Sequence, residues 1–428
     1  MTDSSEDSTA AMDSRRPEPG VVMVFSMDRA VCRAFPLGAA GIVFGRHCAD
    51  GVSIDDLRAS RRHVDIRVDA GGWVIRDLKS TNGTRVDGAA VTGEITCDHP
   101  PVIRFGRTVL VGREDISPFV APEPMRSGGQ VLGPAWRASL AEVEAAAAAR
   151  SELLLIGENG CGKAVAAAHF HAKGLRASGP FVPVHCAAIP PGMAERLFFG
   201  APKGGPGEPP AAQGYLQAAS GGVLFLAEVD KLAPDLLARV LGVGVERAAR
   251  SAAPDVSFCF GAESGLDAWS SRSAGGANLF QRLTRCVVAL PPLRDRREDI
   301  PWLAELALEE GTPRVALEAD VIEACLLRQW SGNVRELLNE VRRMVQVARS
   351  ESRDSVRADL LGPDLDTPRD ASGLSRRRPI TRERVQRALR EAPSVSGAAQ
   401  MLQIHRSHLY RLIRRFGIRL DDYPSLGH

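Results

Sequence analysis

A glycine-rich segment near the middle of the chain carries residue types that suit phosphate binding. It follows the apolar run Leu153–Ile156 and reads Gly157-Glu158-Asn159-Gly160-Cys161-Gly162-Lys163. Glycines let backbone N–H groups approach a phosphate, and the lysine reaches the β- and γ-phosphates of a nucleotide. We therefore predict a strand, a loop and a helix that bind ATP through Gly157, Asn159, Gly160, Cys161, Gly162, Lys163 and Ala164. The alternative is a glycine-rich turn that binds no nucleotide.

The residue after this lysine bears on magnesium. A Ser or Thr usually follows the lysine in such a loop and contacts Mg²⁺ through its hydroxyl group. Here the position is Ala164, so one contact to Mg²⁺ is absent.

Three short segments nearer the N-terminus offer hydrogen-bond donors at the ends of predicted strands. They read Gly45-Arg46, Ser60-Arg61-Arg62-His63 and Ser80-Thr81-Asn82-Gly83-Thr84. Guanidinium, hydroxyl and amide groups without a nearby carboxylate cluster suit a phosphate, and each charge-assisted hydrogen bond contributes about 1.5–3 kcal/mol. Taken singly, Asn82-Gly83 fits a plain turn and Ser60 a plain cap, so the prediction depends on the three segments together.

The C-terminal end of the chain is basic. From Ser375 onward there are twelve Arg, four acidic residues and no Lys, whereas the preceding residues carry a net charge of −6. A basic end on an acidic body indicates an anionic partner, nucleic acid first. Helical spacing predicts a helix over His405–Arg415 whose outer face presents Arg406, Ser407, His408, Arg411 and Arg414. A basic, solvated helical bundle is the alternative.

Three folded domains are predicted to position these groups. Short β-rich runs with turn residues between them predict a β-sandwich; they are Val21–Phe25, Gly41–Phe44, His63–Val68, Trp73–Asp77 and Val102–Val111. Alternating apolar strands and helices predict a parallel α/β domain with a helical lid. A short helix, a tight turn and a basic helix predict an all-α unit. The predicted boundaries are 1–20 for a disordered N-terminus, 21–120 for the sandwich, 121–132 for a linker, 133–350 for the α/β domain, 351–380 for a second linker and 381–428 for the all-α unit.

The N-terminal donor segments closely resemble the signatures of the forkhead-associated (FHA) domain, which binds phosphothreonine peptides. The Gly-Arg, Ser-x-x-His and Thr-Asn-Gly signatures are all present. The resemblance implies that His63 braces the loops and does not touch the ligand. The phosphopeptide contacts that it implies are Arg46, Ser60 and Thr81 on the phosphate, Arg61 in support and Asn82 on the peptide backbone.

The α/β region resembles the AAA+ domain of bacterial sigma-54-dependent activators. The resemblance implies ATP binding, with Arg335 as a sensor of the nucleotide, and sites shared between subunits of a homo-oligomer. It also implies sigma-54 RNA polymerase as a partner. The matching segments are Pro180–Val182, Cys186–Pro190, Leu197–Gly200, Gly221–Leu226, Leu290–Pro301 and Trp330–Leu337.

Departures from the family pattern fall on the chemistry. Ala227-Glu228 replaces the Asp-Glu pair that supports Mg²⁺ and activates water. Of the two arginine fingers only Arg282 is present, because Gly276 stands at the first position, and Glu263 replaces the sensor Asn. We therefore expect ATP binding, weak placement of Mg²⁺, and slow or absent hydrolysis, with Glu228 and Arg282 as the catalytic candidates.

The loop that contacts sigma-54 also departs from the family, which carries Gly-Ala-Phe-Thr-Gly-Ala there. The equivalent stretch, 204–209, lacks both the aromatic residue and the threonine, and Pro206 and Pro209 restrict its backbone. This argues against productive remodelling of sigma-54 RNA polymerase and favours a flexible surface loop.

The all-α unit resembles the Fis-type helix-turn-helix at the end of sigma-54 activators. Ala398-Ala399, Leu402, Ile404 and Leu409-Tyr410-Arg411 carry the likeness. It implies DNA binding through Arg406, Ser407, His408, Arg411 and Arg414, and pairing of two such units on DNA.

Composition excludes several classes of protein. No apolar run approaches the ~20 residues needed to cross a bilayer, and no signal peptide is visible, so a cytoplasmic protein without a membrane partner is expected. The eight Cys lack zinc or disulfide spacing, so no metal site is expected.

The favoured function is a DNA-binding regulator of transcription with phosphothreonine input. The alternatives are an active ATPase that remodels sigma-54 RNA polymerase and a phospho-dependent scaffold with a structural AAA+ domain.

Overall fold

The fold is described from a computed structural model of the chain. It describes residues 17–69, 72–120, 125–127, 129–149, 151–190, 192–200, 213–246, 255–263, 282–283, 285–308, 315–362, 382–391, 397–398, 401 and 418. The chain forms two compact units, 1–364 and 365–428. Among the described residues, no helix combines the length and the apolar character needed to span a membrane.

The N-terminal part of the first unit is a β-sandwich, as predicted. One sheet has the strand order β2-β1-β11-β10-β7-β8 and the other β4-β3-β5-β6-β9, and neighbouring strands run antiparallel except for β3 and β4. The strands are β1 Gly20–Ser26, β2 Arg29–Pro36, β3 Ile42–Gly45, β4 Val52–Ser53, β5 Val64–Asp69, β6 Gly72–Asp77, β7 Thr84–Val86, β8 Ala89–Ala90, β9 Glu94–Cys97, β10 Val102–Phe105 and β11 Thr108–Arg113.

Every residue of strand β1 from Val21 to Phe25 is apolar, so both faces of the strand are apolar. Val21 and Met23 pack in the core between the two sheets, whereas Val22 and Val24 pack in a different core on the outer face. Side chains alternate along a strand, so an unbroken apolar run predicts that both faces of its sheet are covered. The cover on the outer face comes from the lid described below.

The run Val102–Val111, predicted as one β-rich segment, is two strands. Strands β10 and β11 pair with each other around a turn in which Gly106 has a φ of 56°. A positive φ favours glycine, so this residue reverses the chain where composition alone suggested a continuous run.

The α/β part holds a parallel sheet with the order β15-β16-β17-β14-β18, as predicted. Separate apolar cores cover its two faces, and neighbouring residues such as Leu153 and Leu154 point to opposite cores. The strands are β14 Leu153–Ile156, β15 Phe181–His185, β16 Val223–Ala227, β17 Ser257–Ala262 and β18 Val287–Ala289. The helices of the first unit whose bounds are described are α1 Ser117–Val120, α2 Pro134–Ala148, α3 Lys163–Lys173, α4 Ala194–Phe199, α5 Tyr215–Ala218 and α6 Pro234–Glu246, followed in the lid by α7 Ile300–Leu308, α8 Ala319–Leu327 and α9 Asn333–Ser350.

Both predicted linkers contain folded structure. Short strands β12 Arg126–Ser127 and β13 Gln130–Val131 pair within 121–132. In 351–380, β20 Ser355–Val356 pairs with β19 Ala316–Leu317 of the lid, and Leu360 packs in the lid core. The folded lid therefore continues past residue 350, because the apolar side chains of Val356 and Leu360 are buried in the lid core.

The sandwich and the lid share one apolar core. Outward side chains of β1, β10 and β11 pack with α7, α8 and α9 in a single buried cluster that includes Val22, Val109, Ile300, Ile322 and Met344. Two ion pairs, Arg104–Glu323 and Arg113–Glu298, cross the same interface. The sandwich is therefore joined to the lid through a hydrophobic interface with few exposed charges, unlike two domains on a flexible linker.

The second unit contains helix α10, Arg382–Glu391, where a helix was predicted. Val385, Ala388 and Leu389 are buried, as their helical spacing indicates. The predicted DNA-contacting residues, Arg406, Ser407, His408, Arg411 and Arg414, lie outside the described residues.

Candidate functional site

The glycine-rich loop joins β14 to α3, as predicted from its sequence. Gly160 and Gly162 have φ values of 75° and 118°, and a side chain at Gly160 would collide with the carbonyl oxygen of Gly332. Lys163 begins α3, and its Nζ donates to the carbonyl oxygens of Gly157 at 2.6 Å and Glu158 at 3.1 Å. The lysine ammonium therefore lies within the loop, and the glycines allow the lid to approach it closely.

The lid is bonded directly to this loop through Asn333, the first residue of α9. The Asn333 side chain is fully buried; its Oδ1 accepts a hydrogen bond from the Leu293 N–H at 2.8 Å. Its Nδ2 donates to the Asn159 carbonyl oxygen at 3.0 Å and to Glu158 Oε2 at 3.1 Å. Glu158 also accepts two hydrogen bonds from Arg294, at 2.6 and 2.7 Å.

Two further residues complete the lid side of the loop. Arg335 is exposed, and its Cβ lies next to Gly160, which places this residue beside the loop. Arg296 is buried; its Nη2 donates to the Cys161 carbonyl oxygen at 2.6 Å, and its guanidinium lies 4.5 Å from the centre of the Trp136 ring. Burial also raises the pKa of the Cys161 thiol, which keeps it neutral.

Sequence reasoning did not assign Asn333, Arg294 or Arg296 to the site. All three lie in segments that carry the family resemblance, Leu290–Pro301 and Trp330–Leu337. That resemblance was the available signal, but a spacing in sequence does not show which lid side chains reach back to a loop some 135–175 residues earlier.

The positions where the family holds magnesium carry methyl groups. Ala164 is exposed on the first turn of α3, and Ala227 ends β16 almost fully buried. Glu228 follows with a φ of 57°, and Glu263 is exposed just after β17. Among the described residues, no group of three or more His, Cys, Asp and Glu side chains is arranged to hold a metal ion. Ala164 and Ala227 therefore offer no oxygen ligand to Mg²⁺ from their side chains.

Arg282, the predicted arginine finger, is engaged within its own chain. Its guanidinium donates to both carboxylate oxygens of Glu152, at 2.7 and 3.1 Å, and to the Leu241 carbonyl oxygen at 3.3 Å. Glu152 lies just before β14, at the end of the strand opposite the loop. Gly276, at the first finger position, and the stretch 204–209 lie outside the described residues.

The sandwich brings together three predicted phosphate contacts. The Thr81 N–H donates to Ser60 Oγ at 3.0 Å, and the Arg46 N–H donates to the Ser60 carbonyl oxygen at 2.9 Å. Arg46 Nε is buried and has no hydrogen-bond partner in the described part of the chain. Glycine is required before it, because a side chain at Gly45 would collide with the Arg61 carbonyl oxygen.

The remaining predicted contacts border this group. Arg61 is exposed at the same edge. Asn82 Nδ2 donates to the Arg58 carbonyl oxygen at 2.7 Å, so in this structure Asn82 ties two loops together.

His63 braces the loops, as the FHA resemblance implied. Its Nδ1 accepts a hydrogen bond from the Ser60 N–H at 2.9 Å, so Nε2 carries the proton and donates to the Gly83 carbonyl oxygen at 3.1 Å. The ring is fully buried, and that burial lowers the pKa of His63. A neutral imidazole therefore fixes the spacing of the two loops that carry Ser60 and Thr81.

Comparisons with known families agree with these three domains. The FHA domain matches residues 42–106, the Sigma-54 interaction domain matches 132–252, and the AAA+ ATPase lid domain matches 294–377. The fold and sites thus define a multidomain AAA+ protein with an FHA domain. Along the chain, an FHA domain is thus followed by the Sigma-54 interaction domain and an AAA+ lid.

Several curated relatives share the central region. The transcriptional regulatory protein XylR of Pseudomonas putida is 39% identical over 263 residues, which are 58% of this chain and 46% of that regulator. The activator HyfR of Escherichia coli K12 is 34% identical over 66% of this chain and 46% of its own length. LuxO of Vibrio cholerae is 34% identical over 52% of this chain and 51% of its own. The chain thus spans about half the length of these relatives.

Solved structures of NtrX from Brucella abortus are also similar. One crystal structure has 27% identity and a TM-score of 0.50, and covers 66% of this chain and 68% of NtrX. A second, in complex with ADP, has 26% identity and the same TM-score over 69% and 70%.

Proposed function

We propose that this chain is a DNA-binding regulator that binds ATP as a conformational or assembly ligand and hydrolyses it slowly or not at all. One observation carries the proposal. The glycine-rich loop with Lys163 is bonded to the lid through Asn333, and the Arg335 Cβ lies beside Gly160, while Ala164 and Ala227 place methyl groups where metal ligands are needed.

Binding and turnover depend on different parts of this site. Backbone N–H groups and a lysine hold the phosphates, and neither requires the residues that are missing. Hydrolysis needs a cation and an arginine to offset charge that develops in the transition state, and an arginine finger alone accounts for about 10³–10⁵ in rate. NtrX, a structural relative, has been crystallised with ADP, which supports nucleotide binding at the equivalent fold.

The input of the regulator is proposed to be a phosphothreonine peptide. Ser60, Thr81 and the unpartnered Nε of Arg46 lie at one edge of the sandwich, where His63 fixes their spacing. Hydroxyl and guanidinium donors suit the three oxygens of a phosphate.

The output is proposed to be DNA binding by the second unit. Its amphipathic helix α10 precedes the Arg-rich segment, and a tail of this charge suits phosphate backbones. The Fis-type likeness suggests a homodimer at a palindromic site, and the AAA+ fold suggests a larger homo-oligomer. Remodelling of sigma-54 RNA polymerase is not part of the proposal, because residues 204–209 lack the aromatic residue and the threonine.

The test is to measure ATP binding and hydrolysis on the full chain, with and without DNA and Mg²⁺. We expect ATP to bind, the affinity to change by less than about 3-fold with Mg²⁺, and turnover to stay far below ordinary AAA+ rates of about 1 s⁻¹. Ala227→Asp should gain a Mg²⁺ dependence, whereas the matched Ala227→Asn, similar in size and uncharged, should not.

Each other outcome favours an alternative function. Ordinary AAA+ turnover by the unmodified chain would establish an active ATPase and overturn the proposal. A chain that binds phosphopeptide but neither ATP nor DNA would be a scaffold. Arg406→Ala with Arg411→Ala should weaken DNA binding and flatten its salt dependence by about two units of slope; an unchanged gel-shift affinity would contradict DNA binding by this segment.

A further inference from the structure

Arg113 ends the last strand of the sandwich and enters the lid interface. It forms an ion pair with Glu298, which lies in the short turn Arg297–Asp299 immediately before α7. The side chains are 19% and 3% exposed, so the pair lies within the interface and is weakly screened by solvent. An FHA residue therefore holds the segment that begins the lid.

Arg296, the residue just before this turn, contacts the glycine-rich loop. Arg296 Nη1 lies 3.5 Å from Asp299 Oδ2, and Arg296 Nη2 donates to the Cys161 carbonyl oxygen at 2.6 Å. The Arg296 and Asp299 side chains are 5% and 0% exposed. A series of buried charges thus runs from Arg113 and Glu298, through the peptide bond to Asp299, and on to Arg296 and the loop.

The charges in this series depend on one another. Burial raises the pKa of Asp299 to about 6, and the guanidinium groups of Arg296, Arg113 and Arg137 oppose that rise. Burial also lowers the pKa of Arg113 to about 10. Without Arg113, Glu298 would lose its positively charged partner, and the charged form of Asp299 would be less stable. The turn Arg297–Asp299, and Arg296 just before it, would then be less well fixed in position.

The position of Arg296 affects phosphate binding through the geometry of one peptide group. In a planar trans peptide the C=O and the N–H point in opposite directions. When Arg296 holds the Cys161 carbonyl oxygen, the Gly162 N–H of the same peptide must point to the opposite side. Loops of this kind bind phosphates through such N–H groups.

We propose that Arg113 of the FHA domain is a positioning residue of the nucleotide site. It acts through Glu298, Asp299 and Arg296, which keep the Cys161–Gly162 peptide in the orientation that presents its N–H to a phosphate. This inference rests on the proposed binding of ATP. It makes the FHA domain a structural part of the nucleotide site, so removing Arg113 weakens a site to which it makes no direct contact.

The experiment compares Arg113→Gln with Arg104→Gln in the full chain. Arg104 pairs with Glu323 across the same interface, with side chains 20% and 6% exposed, but that pair is not followed by a contact to the loop. Arg113→Gln should weaken binding of a fluorescent ATP analogue by about 5–20-fold. Arg104→Gln should lower the melting temperature by a similar amount but change the affinity by less than about 2-fold.

Hydrogen exchange of the glycine-rich loop provides a readout that does not need nucleotide. Arg113→Gln should speed exchange of the Gly157 and Cys161 amides, which donate to the Ala262 and Glu158 carbonyl oxygens, whereas Arg104→Gln should leave both protected. Arg113→Lys, which keeps the charge, should recover part of both effects and replaces the Gln variant if that fails to fold.

Two results are decisive. If both Gln variants change affinity and exchange equally, Arg113 only stabilises the interface and the proposal is overturned. If the unmodified chain binds no ATP, the proposed function fails, but the exchange difference still decides whether Arg113 positions the loop.

Discussion

The side-chain amide of Asn333 donates to the carbonyl oxygen of Asn159 at 3.0 Å, which bonds the start of the longest lid helix to the glycine-rich loop. Asn333 has a φ of 51°, in the left-handed region that Asn tolerates better than most residues, and it also satisfies the buried Leu293 N–H. One side chain thus links the lid, the segment before it and the loop.

Asn333→Ala should therefore destabilise the first unit and weaken ATP binding. The Leu293 N–H would be buried without a partner, and alanine is strained at this φ, so we expect a loss of about 2–4 kcal/mol in the free energy of unfolding. Chemical denaturation measures the stability and ligand titration the affinity. Asn339→Ala, at an exposed position of the same helix, should change stability by less than about 0.5 kcal/mol. Equal effects of the two variants would contradict this role.

His63 should make the FHA domain less stable as the pH falls. Its pKa is lowered in the folded state, so its contribution to stability is complete above the pKa of about 6.5 of an unfolded histidine and is lost as the pH falls through the folded value. The cause of the lowered pKa is burial of the ring, which disfavours its charged form; protonation of Nδ1 would also break the hydrogen bond from the Ser60 N–H.

The measurement is the melting temperature of the full chain and of His63→Gln between about pH 7.5 and pH 5.5. The difference between the two proteins should narrow as the pH falls. The comparison is needed because the pKa of His99, raised by Asp87, shifts in the opposite direction. A difference that is constant over this range would show that His63 does not titrate as described.

Arg282 should behave as a brace of its own subunit. Its pair with Glu152 is about three-quarters buried, so Arg282→Ala and Glu152→Ala should each lower stability, with a coupling energy of about 1 kcal/mol in a double-mutant cycle. Neither variant should alter the residual ATP hydrolysis. A loss of turnover that appears only when Arg282→Ala subunits are mixed with unmodified ones would instead identify an arginine finger that acts on a neighbour.

Arg46 should be needed for phosphopeptide binding. Its Nε is buried without a partner, so Arg46→Ala should lose one or two charge-assisted hydrogen bonds and weaken a phosphothreonine peptide by about 10–100-fold. Arg62→Ala is the matched control, because Arg62 pairs with Asp50 at the surface, where both side chains are 58% exposed. It should change the peptide affinity, measured by fluorescence anisotropy, by less than about 2-fold.

Local patterns predicted much of the fold. The unbroken apolar run of β1, the glycine-rich loop after Leu153–Ile156 and the helical spacing of Val385 and Leu389 each depend on interactions within a few residues, so composition and period identify them. The apolar pattern predicts β10 and β11 as one strand, because the tight turn at Gly106 interrupts the pattern over too few residues to be recognised. The folded end of the lid was missed because its strand β20 is only two residues long.

The sequence by itself determined which chemical groups the chain has: a lysine in a phosphate loop, hydroxyl and guanidinium donors at strand ends, an Arg-rich tail, and alanines at 164 and 227. Only the tertiary structure decided which groups meet. It bonded Asn333 to the loop, paired Arg282 with Glu152, and covered the outer face of β1 with the lid, where Arg113 pairs with Glu298. These pairings join residues far apart in sequence, and they depend on how apolar faces pack together. The spacing of residues within one segment therefore does not predict them.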